Sequence, residues 1–142
     1  MRVTVRDHAL SFAPGSEWIA DVMEPATEAQ LGLYVRSVER GVYLNVRSQE
    51  AGDHALTREG MTALLRAQAW ASAPLDEWSE AAGELAIAGG TFETTGMSGE
   101  VVLEIFVTDG RAVANLAGPG ERRAIAAVTA SARALARSLR FG

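Results

Sequence analysis

Val-Val-Leu-Glu-Ile-Phe-Val-Thr-Asp-Gly-Arg-Ala-Val-Ala-Asn-Leu, residues 101–116, decides the fold. Val101, Leu103, Ile105 and Val107 alternate with Val102, Glu104, Phe106 and Thr108, the period of a strand. Asp109-Gly110 is a strong hairpin signal. A two-residue loop there would pair Thr108 with Arg111, Phe106 with Val113, Glu104 with Asn115 and Ile105 with Ala114. The Ile105 face is then bulky on one strand and small on the next (Ala112, Ala114), which leaves room for a helix. That helix follows. Ile125, Val128, Ala132, Leu135 and Leu139 repeat at spacings of 3 and 4. Pro119 suits its first turn. The stripe is expected to pack on Leu103, Ile105 and Leu116.

Upstream, Leu85 and Ile87 read as a short strand, Gly89-Gly90 as a break, and Thr91–Thr95 as another strand with a turn at Gly96–Gly99. Thr57 caps a helix expected over Arg58–Ser72, with Met61, Leu64 and Leu65 as its apolar stripe and Pro74 beyond its end. Leu31, Leu33 and Val35, then Val42, Leu44 and Val46, form a hairpin turning at Glu39-Arg40-Gly41. Its other face carries Tyr34, Arg36, Tyr43, Asn45 and Arg47. Arg2–Trp18 holds one or two short strands before a Pro14-Gly15 turn, and Asp21–Gln30 reads as a loop. The expected fold is α+β: one antiparallel sheet with helices packed on it, the C-terminal helix longest, in a single domain over 1–142.

The chain has 142 residues and a net charge of −5. Cysteine is absent and all 13 basic residues are arginine. This excludes thiol catalysis, disulfides, thiolate zinc sites, Schiff-base chemistry and the P-loop lysine. The acidic balance argues against nucleic acid or anionic lipid as partner. No apolar run suits a signal peptide or a membrane span, so the chain is expected in the cytoplasm. Residues 76–109 hold eight acids and no arginine; residues 110–142 hold six arginines and one acid. Each stretch is either the solvated face of its own element or one of two opposed patches. Such patches either pair within the molecule or meet a partner, and the expectation favours a partner for Arg122, Arg133, Arg137 and Arg140. These four fall about 100–140° around the helical wheel from the apolar stripe.

Catalytic constellations are missing. His8 and His54 each follow an aspartate (Asp7, Asp53), but the spacing matches no metal motif. Gly96-Met-Ser-Gly99 lacks the nucleophile-elbow pattern. Gly118-Pro-Gly-Glu121 reads as a tight turn whose acid already occupies the helix N-terminus. Glu104, in an apolar strand, is either a general acid or base or a carboxylate on the more exposed sheet face bonded to Asn115 or an arginine. No catalytic residue, metal or cofactor is therefore expected. Two binding surfaces stand out. Tyr34, Arg36, Tyr43 and Arg47 are residue types enriched at interfaces, unless a helix covers them. Trp70 and Trp78 flank Pro74 and either fold into the core or stay at the surface.

The opening Leu10-Ser-Phe-Ala-Pro-Gly-Ser-Glu-Trp18 and the closing Ala136-Arg-Ser-Leu-Arg-Phe141 resemble the PsbP-like, Ran-binding Mog-like α/β/α sandwich family. That family includes LpqN-type lipoproteins and the effector-associated chaperones of bacterial type VI secretion. The resemblance implies a fold and members that mostly bind proteins or apolar ligands without catalysis. The lipoprotein cysteine of the LpqN type has no counterpart here. The combined expectation is a non-enzymatic accessory, chaperone-like or adaptor protein that binds another protein. The alternative is a small apolar ligand held between sheet and helix.

Overall fold

A computed structural model describes residues 2–5, 8–23, 32–37, 41–68, 74–94 and 99–142. The strands are β1 (Arg2–Val5), β2 (His8–Ser11), β3 (Trp18–Met23), β4 (Gly32–Ser37), β5 (Tyr43–Gln49), β6 (Asp76–Ala82), β7 (Leu85–Glu93), β8 (Glu100–Thr108), β9 (Val113–Glu121) and β10 (Arg140–Phe141). The helices are α1 (Arg58–Arg66) and α2 (Arg122–Arg137). Seven strands form an antiparallel sheet in the order β3-β4-β5-β9-β8-β7-β6. A small sheet, β1-β2-β10, joins the two ends of the described chain, with Phe141 opposite Leu10. The opening and closing segments that carry the family resemblance thus lie side by side.

The helices take opposite faces. On one, Ile125, Val128, Leu135 and Leu139 of the α2 segment pack in one cluster with Leu103, Ile105 and Leu116, as expected. Leu10, Phe12 and Trp18 extend this cluster toward the small sheet. On the other face, Met61, Leu64 and Leu65 of α1 meet Ala88, Phe92, Phe106 and Val113. Strand alternation sends Ile105 to α2 and Phe106 to α1, so β8 is buried on both sides. The expected α+β architecture is the one observed.

Several local expectations are corrected. The Asp109 loop spans four residues, and Thr108 pairs with Val113 rather than Arg111. Asp109 Oδ1 accepts from the amides of Arg111 and Ala112, and Thr108 Oγ1 accepts from Gly110 and donates to the Ala112 carbonyl. These bonds hold the wider turn. The register therefore moves by two, which keeps every side chain on its face. β7 runs unbroken through Gly89-Gly90. A Cβ at Gly89 would collide with the Trp78 ring, so glycine here makes room for an aromatic neighbour instead of ending a strand. That neighbour lies on β6, a strand the acidic sequence does not suggest. α1 stops at Arg66, short of the expected Ser72, although Thr57 does cap it by accepting from the Gly60 amide. α2 begins at Arg122, not Pro119. Pro119 belongs to β9 opposite Val102, beyond Ala117 where pairing with β5 ends, so its missing N–H interrupts no second ladder. Gly118–Glu121 is therefore strand rather than turn.

Candidate functional site

α1 packs on β6, β7 and β8, which leaves the β3–β5 half of that sheet face without a helix among the described residues. The hairpin of β4 and β5 forms as its alternation predicts. Val42, Leu44 and Val46 are buried toward α2, while Tyr43 and Arg47 are exposed on the opposite face. Register builds rows across that face. Ile19 lies opposite Arg36, and Arg36 opposite Tyr43. Ile19 is 39% exposed and Tyr43 48%, two of the three large hydrophobic side chains most exposed among the described residues. The Arg36 guanidinium sits 6.0 Å from the Tyr43 ring centroid, the outer limit of a cation–π contact. The next row sets Tyr34 opposite Asn45, Asn45 opposite Ala117, and Ala117 opposite Glu104. Tyr34 is placed by its backbone; its side chain lies outside the described residues.

Below these rows the face becomes buried and polar. Arg47 Nε donates to Asn115 Oδ1 at 3.1 Å. Asn115 Nδ2 donates to Glu104 Oε2 at 3.3 Å and to the Ile105 carbonyl at 3.2 Å. Asn115 is 0% exposed and Glu104 1%. The expected Glu104–Asn115 contact thus exists as a diagonal pair, but Glu104 is buried, not on an exposed face. Its direct neighbours across the ladder are the small residues Ala117 and Gly90. Asn45 Oδ1 is buried without a hydrogen-bond partner among the described residues. The exposed cation Arg47 is therefore linked through one amide to a buried acid. This arrangement fixes side-chain orientation at the site, since each bond to a charged group is directional and short-ranged.

The other candidates are elsewhere. Trp70 lies outside the described residues. Trp78 is half-buried on the α2 face, with the Arg133 guanidinium 4.1 Å over its ring. Arg133 and Arg137 both bind Glu80 of β6, at 3.1 and 2.8 Å, and Arg122 binds Glu93 at 2.9 Å. Arg140 donates to the carbonyls of Arg137 and Leu139. Three of the four arginines of the expected stripe, Arg122, Arg133 and Arg137, thus form ion pairs within the molecule. The acidic and basic stretches meet where Glu80 of β6 and Glu93 of β7 reach arginines of α2. Arg137, against burial and helped by Arg133, holds the Glu80 carboxyl below the ordinary carboxylate range. The hydrogen bond to Glu80 in turn raises the Arg137 guanidinium above its ordinary value.

His54 sits in a turn, its amide donating to Ala51, and the His8 side chain and Asp7 lie outside the described residues. Among the described residues no three His, Cys, Asp or Glu side chains cluster as a metal site. No helix among them is long and apolar enough to cross a membrane. Sequence reading missed Ile19 as a site residue. Only the register of β3 on β4 brings it beside Arg36, and its own segment carries no hairpin signal. Glu80 is visible in the sequence only as one acid in an acidic run.

No protein-family model matches the chain, and no curated protein matches it. Among solved structures it is similar to LpqN of Mycobacterium tuberculosis, described as involved in cell envelope biogenesis. The likeness has a TM-score of 0.54 at 11% identity, over 99% of this chain and 89% of that one. The fold is LpqN-like.

Proposed function

We propose that this is a non-enzymatic accessory protein, chaperone-like or adaptor in character, which binds another protein on the β3–β5 half of the sheet. The observation that carries the reading is the row Ile19–Arg36–Tyr43, where two exposed apolar side chains flank a cation on a face no described helix covers. Aromatic and arginine side chains contribute most to protein interfaces. The bonds from Arg47 through Asn115 to Glu104 hold part of that face in place before a partner arrives. Membership of the wider PsbP-like and Ran-binding family, and residence in the bacterial cytoplasm, belong to this proposal. The likeness to LpqN supports an accessory role without specifying one. A small apolar ligand between sheet and helix has less support. Leu103, Ile105, Leu116, Ile125 and Val128 fill that layer and are each at most 1% exposed.

The test places a photo-crosslinking amino acid at position 43 in cells of the source organism, with position 123 on exposed α2 as control. A discrete protein adduct at 43, absent at 123, is expected. Introducing Arg47→Glu should weaken that capture by about tenfold or more. Equal labelling at both positions would remove the reading.

A further inference from the structure

The two edges of the seven-stranded sheet, β3 and β6, are built differently. Along β6, Glu77 is tied to Arg66 of α1 on one face and Glu80 to Arg133 and Arg137 of α2 on the other. Charged side chains held along an edge are a common block to further pairing. β3 reads Trp-Ile-Ala-Asp-Val-Met, with one acid in six residues, and pairs with β4 throughout its length. Neither helix is among its main contacts, and no described strand lies beyond it. Ile19, at this edge, is 39% exposed and begins the row that continues to Arg36 and Tyr43.

We propose that β3 receives an extended segment of a partner protein as an eighth strand, with an apolar side chain of that segment set beside Ile19. This rests on the protein-binding reading above and adds the form the partner takes. In an antiparallel ladder, alternate residues of an edge strand direct N–H and C=O groups away from the sheet. An extended chain satisfies those groups in sequence; a helix laid there does not. Every second residue of the added strand then faces the site and lengthens the row that ends at Ile19. A β-branched or aromatic residue at that position packs best beside a β-branched neighbour. The partner segment is thus a strand former with apolar residues at alternate positions.

The full chain, immobilised, is used to select from displayed random peptides of about twelve residues, long enough for one strand. Selected peptides should alternate apolar and polar residues. Bound peptide should slow amide hydrogen exchange across residues 18–23 by about fivefold or more, because new ladder bonds must open first. Ile19→Asp should weaken that binding by about tenfold. Glu80→Gln, on the other edge, should leave it unchanged. Circular dichroism checks that both variants keep their fold. The proposal is overturned if no peptide is enriched over the bare support, if protection falls on β6 or α1 instead, or if Ile19→Asp binds like the parent. It is also overturned if β3 is already protected without peptide and loses protection on dilution, which would mark a second copy as the occupant. Crosslinking at position 43 without β3 protection would leave the protein-binding reading standing and remove the edge.

Discussion

One amide, that of Asn115, serves two acceptors and one donor in the sheet interior. Replacing it by leucine keeps the volume but withdraws the bonds to Glu104, the Ile105 carbonyl and Arg47. Leaving buried polar groups without their partner should cost about 1–3 kcal/mol. Urea unfolding measures it, and an unchanged midpoint would contradict the bonding described. Glu80 gives a second prediction, in pH. Its folded pKa is lowered, first by Arg137, so the unfolded chain binds the proton more tightly. The stability this contributes is present above the unfolded value near 4.5 and is lost as pH falls through the lower folded value. Glu80→Gln should therefore lower stability at neutral pH and flatten its decline over the range below about pH 4.5. With Arg133 and Arg137 at 31% and 42% side-chain exposure, the effect should be about 1 kcal/mol or less. Melting curves across that range check both parts. At this scale the sequence indicates that Glu104 and Asn115 touch. It does not indicate that Glu104 is buried, because burial depends on what lies above a strand.

The long helix is the element most fully readable in the sequence. Its stripe of Ile125, Val128, Ala132 and Leu135 is buried as the 3–4 spacing requires. Leu135→Ala should cost about 2–5 kcal/mol by the cavity it leaves on the sheet. A chemical denaturation midpoint equal to the parent's would show that α2 does not dock there. β7 makes the opposite point. Its two glycines carry turn chemistry in any sequence reading, yet they stand in mid-strand under Trp78 and the Asp76 carbonyl. Gly89→Ala should displace the Trp78 ring, so reduced stability should accompany altered tryptophan fluorescence. An unaffected emission spectrum would argue against that close approach. Pro119 is a similar case. The preference of proline for a first helical turn is real, but a strand segment paired on one side accepts it as well.

In the whole molecule, the sheet separates two apolar layers, the larger under α2 and the smaller under α1. Leu65 and Leu135 lie on opposite sides of it. If the sheet is a rigid middle layer, the costs of Leu65→Ala and Leu135→Ala should add to within about 0.5 kcal/mol in the double variant. Strong coupling, measured in the same unfolding assay, would mean that the layers respond as one. The α+β class, the β4–β5 hairpin and the α2 stripe were legible because each depends on local periodicity. So was the placement of Tyr43 and Arg47 on one face of β5, since alternation along a strand fixes that alone. The pairing of Glu80 with Arg133 and Arg137, the meeting of Ile19 with Arg36 and the seating of β10 on β2 were not. Each joins segments distant in sequence, and their registers follow from how ladders and layers fit together. The sequence by itself determined which side chains share a face of each element. The tertiary structure alone decided which faces are covered, because covering is a relation between elements that no single segment contains.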